Sequence, residues 1–324
     1  MSTIAPTITL QEIEEAADRI RPHVHSTPLL SNKTLNRLSG GSLFLKCENF
    51  QKGGAFKARG ATNAVLQLSE EQKQNGVVTH SSGNHAQALA LVAQSQNIPA
   101  YIVMPQGAVA AKKRAVAGYG ATIIECEPNL LARQEMAKKV KQETNATFIH
   151  PYDNKQIIAG QGTVALEMLT QNPALKTIVV PIGGGGLVCG VAIAAKATCP
   201  DIRIIGVEPA GAADAFESLQ SGTFVPSTDP QTVADGLRAS TGELTWPLIQ
   251  KYVDQIITVT DEKIMDSLRL VWERTKLLIE PSSATVVAAL ESPDFPKECL
   301  EEPIGLILSG GNVDLENLVW NSKK

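Results

Sequence analysis

Six residues, Thr177-Ile-Val-Val-Pro-Ile182, run without a charge into four adjacent glycines, Gly183, Gly184, Gly185 and Gly186. Leu187–Thr198 follows with an apolar helical pattern. A charge-free strand between turn signals is buried on both faces, the habit of parallel sheets covered by helices. Four consecutive glycines let the backbone wrap closely around a ligand. The helix that follows offers free N–H groups and a positive dipole end, which suits a phosphate. The spacing is neither Gly-x-Gly-x-x-Gly nor a loop closing in Gly-Lys-Ser/Thr. A tight turn without a ligand remains the alternative for these residues taken alone.

The same strand, turn and helix rhythm recurs along the chain. Val77–His80 reads as a strand, Ser81–His85 as its turn and Ala86–Gln96 as a helix. Strands are expected at Ala100–Met104, Ala121–Glu125 and Thr147–His150, with helices at Lys112–Gly118 and Leu131–Glu143. The rhythm restarts after residue 151. A helix is expected over Gly162–Leu169, and strands at Arg203–Val207, Ile256–Val259 and Ile304–Leu308. Ser309–Asn312 is the last turn. Near the start, Thr9–Glu12 has capping-box spacing for a helix over Leu10–Ile20, and Ser42–Cys47 reads as a strand. Thr260 caps a helix reaching about Leu278, and Ser282 or Ser283 caps another to about Leu290. The alternation predicts an α/β fold of two domains, each a parallel-rich twisted sheet flanked by helices. Their bounds are expected at 53–149 for the small domain and at 1–52 plus 150–324 for the large one.

Asn49–Ala61 breaks a local rule. Lys57 follows two glycines and Phe56 at the start of a helix over Ala58–Leu68. A cation there opposes the helix dipole. A lysine whose pKa is lowered by burial can act as a nucleophile toward carbonyl compounds, so Lys57 is a candidate catalytic amine beside the alternative of a solvated surface group. Ser81–His85 brings two hydroxyls, an amide and an imidazole to one turn, or simply caps a helix. Glu208 and Asp214 lie six residues apart on a post-strand loop and would suit Mg²⁺ or Ca²⁺, or stand solvated.

Composition narrows the field. The 324 residues carry a net charge of −4 with no long basic run, so neither nucleic acid nor an anionic membrane is an expected partner. Met1–Thr7 shows neither a basic nor an apolar leader pattern, so no secretory signal is expected, and no apolar stretch reaches a membrane span. Five scattered cysteines without Cys-x-x-Cys point to reduced thiols and a cytoplasmic location.

Four motifs taken together resemble one family, the pyridoxal-phosphate enzymes of fold type II, whose architecture is tryptophan-synthase-β-like. They are Gly54-Ala-Phe-Lys57-Ala-Arg-Gly60, Ser81-Ser-Gly-Asn-His-Ala-Gln87, Gly183–Gly186 and Ser309-Gly-Gly-Asn312. They stand in the family's order across most of the chain. Asn49–Lys52, Ala159–Thr163, Ala234–Gly236 and Leu278–Pro281 extend the likeness toward the serine racemases of the family.

The resemblance implies roles. Lys57 would hold pyridoxal 5'-phosphate and then act as a base at the substrate α-carbon, with Phe56 packed beside it. Gly183–Gly186 and the Leu187 amide would bind the phosphate. Asn84 would face the cofactor 3-hydroxyl and Ser309 the pyridine nitrogen. Ser81, Ser82, Gly83, Asn84 and His85 would cradle the substrate carboxylate, and Arg133 would face the substrate. Ser82, where threonine dehydratases usually carry Ala, would be a second base across the cofactor plane. Glu208, Asp214 and the Ala212 carbonyl would hold Mg²⁺, or Ca²⁺ or Mn²⁺. Lys52, Gly53 and Tyr119 fall where racemases bind an adenine nucleotide between subunits, which makes ATP a candidate activator, although the loop Gln106–Ala111 differs. Tyr152 stands where the mammalian racemase has Asn. The implied activity is racemisation of L-serine to D-serine with serine dehydration to pyruvate and ammonia, in a homodimer. The alternatives are a threo-3-hydroxyaspartate or threonine/serine ammonia-lyase without significant racemisation, and a non-catalytic nucleotide- or cofactor-binding sensor.

Overall fold

The computed structural model describes residues 8–108 and 110–315. Met1–Thr7, where no secretory signal is expected, and Val109 of the loop Gln106–Ala111 lie outside them. Helix α1 (Leu10–Ile20) opens under the expected capping box. Thr9 Oγ1 accepts from Glu12 N at 3.2 Å, and the Glu12 carboxylate accepts from Thr9 N at 2.7 Å. Then come β1 (Leu29–Ser31), α2 (Lys33–Ser39) and β2 (Ser42–Cys47). A run of α3 (Lys57–Leu66), α4 (Glu70–Asn75), β3 (Val77–Thr79), α5 (Asn84–Ser95), β4 (Ala100–Pro105), α6 (Ala110–Gly118), β5 (Thr122–Cys126), α7 (Leu130–Thr144) and β6 (Thr147–Phe148) follows. The remainder is α8 (Lys155–Gln171), β7 (Thr177–Pro181), α9 (Gly186–Thr198), β8 (Arg203–Pro209), α10 (Asp214–Ser221), α11 (Thr245–Tyr252), β9 (Gln255–Val259), α12 (Asp261–Thr275), α13 (Pro281–Ala288) and β10 (Pro303–Leu308).

The strands form two sheets. One has six strands in the order β1-β2-β10-β7-β8-β9, the other four in the order β5-β4-β3-β6. Every pairing is parallel except β1 with β2. Side chains alternate between the faces of each strand. Ile178 and Val180 therefore enter one core with α8 and α9, while Val179 enters the other with α12 and α13. Val77 and Val78 divide likewise between the two cores of the smaller sheet. No helix among the described residues is long and apolar enough to cross a membrane.

Several local expectations need correction. Helix α8 starts at Lys155, under an Asn154 cap bonded to Ile157 N at 3.0 Å, and not at Gly162. Gly160 and Gly162 hid that first half, because their small volume serves helix packing and not helix propensity. Helix α12 stops at Thr275, where Lys276 turns left-handed at φ 63°. Neither Ser282 nor Ser283 caps α13. Its cap position is Glu280, with Pro281 in the first turn, and the two serine hydroxyls bond Gly236 N and Gly310 instead. The short β1, α2, α4, α10 and α11 were not anticipated, and Glu208 and Asp214 do not share a post-strand loop: Glu208 lies within β8, and Asp214 is the first residue of α10, where its carboxylate suits the helix dipole.

Candidate active site

In open parallel sheets ligands bind beyond the carboxyl ends of the strands. The segments that follow β2, β3, β6, β7 and β10 converge there. Phe56 N donates to Ser309 O at 3.0 Å, and Ala55 bridges Gly310. Asn312 Nδ2 donates to Gly53 O at 2.7 Å and to Asn84 Oδ1 at 3.0 Å. Asn84 Nδ2 donates to Glu280 Oε1 at 2.7 Å. The 49–57, 81–85 and 309–312 segments are thus one hydrogen-bonded unit, although they lie far apart in sequence.

Lys57 is the first residue of α3. No side chain caps this helix, so the cation sits at an uncompensated N-terminus. Its Nζ donates to Pro151 O at 2.7 Å and stands 5.1 Å from the Phe56 ring centroid. Burial lowers its pKa to about 8, against a smaller upward pull from Glu280. A substantial neutral fraction near pH 8 makes this amine a nucleophile and base.

The glycine turn fits a phosphate. Among the described residues none of the Gly183–Leu187 N–H groups donates a hydrogen bond, whereas the Gly184 carbonyl is held by Thr245 Oγ1 at 2.8 Å. A Cβ on Gly184 would stand 2.3 Å from Tyr152 Cγ. Gly185 has φ 88°, and a Cβ there would stand 2.8 Å from Thr245 Cβ. Asp153 braces the same wall, its Oδ1 accepting from Leu244 N at 2.9 Å and Thr245 N at 3.1 Å.

The turn after β3 is shorter than expected, because α5 already begins at Asn84 and includes His85; within it Ser81 Oγ accepts from Gly83 N at 3.4 Å. The Ser82 hydroxyl, partly buried, makes no hydrogen bond among the described residues. His85 is buried, with Nε2 3.3 Å from Ile149 O and Nδ1 unpartnered. Burial, helped by the Lys57 charge, holds its pKa well below the usual value, so it is neutral. His150 is pushed down to about 3, first by burial and then by His80 and Lys57. Its Nδ1 accepts from Asp153 N at 2.8 Å, and its ring meets Tyr152 edge-on at 4.6 Å. Arg133, partly buried, acts electrostatically on His80 and Tyr152 and has no ion-pair partner among the described residues.

Ser309 is buried, its hydroxyl 3.2 Å from Ser283 Oγ. Glu280 was not singled out from the sequence as a site residue. It is buried, and burial followed by the Asp235 charge raises its carboxyl to about 7. The signal available was an acid between Leu277-Leu-Ile279 and Pro281, an apolar run that leaves a carboxylate little access to water.

Glu208 and Asp214 lie together and buried. Glu208 accepts from Ala215 N and Phe216 N at 3.1 and 2.8 Å. Asp214 Oδ2 accepts from Thr241 N, Thr241 Oγ1 and Ser240 Oγ. Burial raises both carboxyls, and Asp214 raises Glu208 further. Two acids that repel each other in a buried site are suited to a cation. No group of three or more His, Cys, Asp or Glu side chains able to hold a metal occurs among the described residues, so the Ala212 carbonyl would have to complete such a site. Lys52 is exposed and Tyr119 partly buried, with no hydrogen bond between them among the described residues.

Comparison with known proteins places these features in a family. The model for "Pyridoxal-phosphate dependent enzyme" matches residues 20–310. Serine racemase of Arabidopsis thaliana is 51% identical over 317 residues, covering 96% of this chain and 95% of that protein. The β-hydroxyaspartate dehydratase of Paracoccus denitrificans is 44% identical, covering 97% and 99%. The solved structure of maize serine racemase superposes with a TM-score of 0.95 at 47% identity, covering 98% of this chain and 97% of that one.

Proposed function

The chain belongs to the pyridoxal-phosphate-dependent enzyme family, and from that premise we propose that it converts L-serine to D-serine and also dehydrates serine to pyruvate and ammonia. Its residues fit the cofactor: free N–H groups at Gly183–Leu187 for a phosphate, and a partly buried amine with a lowered pKa at Lys57 for a carbonyl. When bound, pyridoxal phosphate supplies an electron sink that acidifies the substrate α-C–H. Lys57 takes that proton from one face. Ser82 delivers a proton to the other, which inverts the α-carbon. Ser309 offers a hydroxyl and no carboxylate to the ring nitrogen, which tempers the sink and disfavours transamination. Loss of the β-hydroxyl as water in place of reprotonation leads, after hydrolysis, to pyruvate and ammonia.

The observation that carries this reading is the convergence of Lys57 with the turn bearing Ser82. Asn84, two residues beyond Ser82, is bonded to the same Glu280 whose charge acts on Lys57. The racemases among the relatives support the substrate. Ser82→Ala, loaded with cofactor and fed L-serine, tests it: D-serine formation should fall about 100-fold or more while pyruvate formation stays within about tenfold. Equal losses in both products would remove Ser82 from the role of second base.

A second reading, an ammonia-lyase acting on 3-hydroxyaspartate, is favoured by one observation. Arg133 has no acidic partner among the described residues and stands near Tyr152. The Paracoccus relative supports it. The ratio of kcat/KM for L-serine to that for 3-hydroxyaspartate separates the two.

Further parts of the proposal rest on the same fold. Mg²⁺ would bind Glu208, Asp214 and the Ala212 carbonyl. ATP would meet Lys52, Gly53 and Tyr119 at a contact between two copies. The exposed apolar Phe50 and Leu278, neighbours through Asn49 Nδ2 on Leu278 O at 3.1 Å, support a homodimer there. Closure of the 53–149 unit over the cleft would exclude water from the reaction. Five free cysteines support a reducing, cytoplasmic setting.

A further inference from the structure

Two residues beyond Lys57, Arg59 is almost fully buried, at 1% exposure. Its Nε and Nη2 grip Glu48, each at 2.8 Å, and its Nη1 and Nη2 grip Glu167 at 2.7 and 2.9 Å. Lys46, also fully buried, donates to Glu167 at 2.7 Å, to Thr27 O at 2.8 Å and to Gln171 Oε1 at 3.0 Å. Thr27 Oγ1 closes the network on Glu48 Oε1 at 2.5 Å. Two cations and two carboxylates balance, and the guanidinium fork is used bidentately on both acids.

A buried ionic network is weak ground for stability, because apolar residues of the same volume often serve as well. Its geometry carries more information. Residues two apart on a helix face roughly 200° away from each other, so Lys57 and Arg59 leave α3 on opposite sides. Lys57 points to the cleft and Arg59 points back into β2's end and α8. On that back side α3 lies close against α8: a Cβ on Gly160 would stand 2.6 Å from Gly60 Cα, and Gly60 N donates to Gln161 Oε1 at 3.2 Å. The front of α3 has no side-chain cap; the segment before it is tied to the 309–312 turn by the Ala55–Gly310 bridge, the Phe56–Ser309 bond, Gly311 N on Gly54 O at 2.9 Å and Asn312 Nδ2 on Gly53 O, all ahead of Lys57. Later in α3, Asn63 is held by Arg19 Nη1 at 2.6 Å and holds Gln156 O at 2.7 Å, but at the first turn, where Lys57 stands, the contacts from behind are those of Arg59 and Gly60.

We infer that the Arg59–Glu48–Glu167–Lys46 network is the positioning device for Lys57, fixing the rotation and height of α3 against the end of β2 and α8 so that the amine meets the cofactor carbonyl. Arg59 is a positioning residue and touches neither substrate nor cofactor. The inference rests on the reading of Lys57 as the cofactor-binding lysine.

Arg59→Met alone would strand two carboxylates with one lysine. The test therefore uses Arg59→Met together with Glu48→Gln, which leaves the Lys46–Glu167 pair balanced, and separately Arg59→Lys, which keeps the charge but loses the fork. Circular dichroism and melting establish the fold. Titration with pyridoxal phosphate, followed by absorbance and by borohydride trapping at Lys57, then gives the dissociation constant, and the pH midpoint of the visible band is recorded. The inference predicts a folded double variant with a dissociation constant raised at least about tenfold, a displaced midpoint, and kcat down about 100-fold with KM for serine little changed, as for a misplacement of about 1 Å. Arg59→Lys should lie between it and wild type. A folded double variant with wild-type affinity, band and kcat overturns the inference. If the double variant does not fold, wild-type values in Arg59→Lys overturn it equally. A wild type that binds no pyridoxal phosphate overturns the parent reading instead, which keeps the two failures apart.

Discussion

Gly184→Ala should damage cofactor binding through a single atom. The new Cβ would stand 2.3 Å from Tyr152 Cγ and 2.4 Å from both Cδ atoms, so ordinary contact requires a shift of about 1 Å. Tyr152 has little room to yield. Its ring abuts His150 at 4.6 Å, and its own Cβ already lies 3.0 Å from the Cβ direction of Gly186. On the other side, Thr245 holds the Gly184 carbonyl at 2.8 Å. The turn itself must therefore move, carrying its free N–H groups off the phosphate position. Overpacking of this kind costs about 1–3 kcal/mol, and a misplacement of about 1 Å in a site costs about 100-fold. The expected result is a dissociation constant for pyridoxal phosphate raised by about 10- to 100-fold, read by absorbance, with a melting temperature only a few degrees lower. Tyr152→Ala in the same chain removes the obstacle and should recover much of the affinity. It should not rescue Gly185→Ala, where φ 88° strains any side chain regardless of space. Wild-type affinity in Gly184→Ala, or no recovery in the double variant, would refute the reasoning.

Lys57→Ala should abolish both the visible band and all turnover; a coloured variant would move the cofactor lysine elsewhere. The rate at which apoenzyme captures pyridoxal phosphate should rise about tenfold per pH unit and level off near pH 8, where Lys57 becomes neutral. Because this amine is neutral when folded and protonated when unfolded between about 8 and its ordinary 10.5, its contribution to stability rises with pH across that window. A plateau only above pH 10 would mean an unperturbed lysine. Mg²⁺ at about 100 times its dissociation constant should stabilise by about 2.7 kcal/mol, seen as a higher melting temperature, and Asp214→Ala should remove the effect. No response to Mg²⁺ or to a chelator would dismiss the metal.

Much of the fold was legible because parallel strands buried on both faces read as charge-free runs closed by glycine. Thr177–Pro181 with Gly183–Gly186, and β10 with Ser309–Asn312, are of that kind. Lys57 stands out in the sequence because a lysine at a helix start contradicts local electrostatics. What escaped depends on partners distant in sequence. Glu280 gains its raised pKa from burial, and its bonds come from Asn84 and Asn312. Arg59 stood inside a quoted motif, yet nothing local says that Glu48 and Glu167 close on it. Tyr152 reads as a substitution in a turn until its ring is seen against Gly184. The serines of α13 misled because their hydroxyls serve the 309–310 turn and Gly236, while Glu280 takes the cap position.

The central claim is that two bases, Lys57 and Ser82, work on opposite faces of one α-carbon. The direct measurement incubates the loaded enzyme with L-serine in heavy water and follows chirality, α-deuterium and pyruvate together. D-serine carrying deuterium at the α-carbon, formed alongside pyruvate, is the predicted result. Pyruvate alone, with recovered serine wholly of the L form, would contradict it.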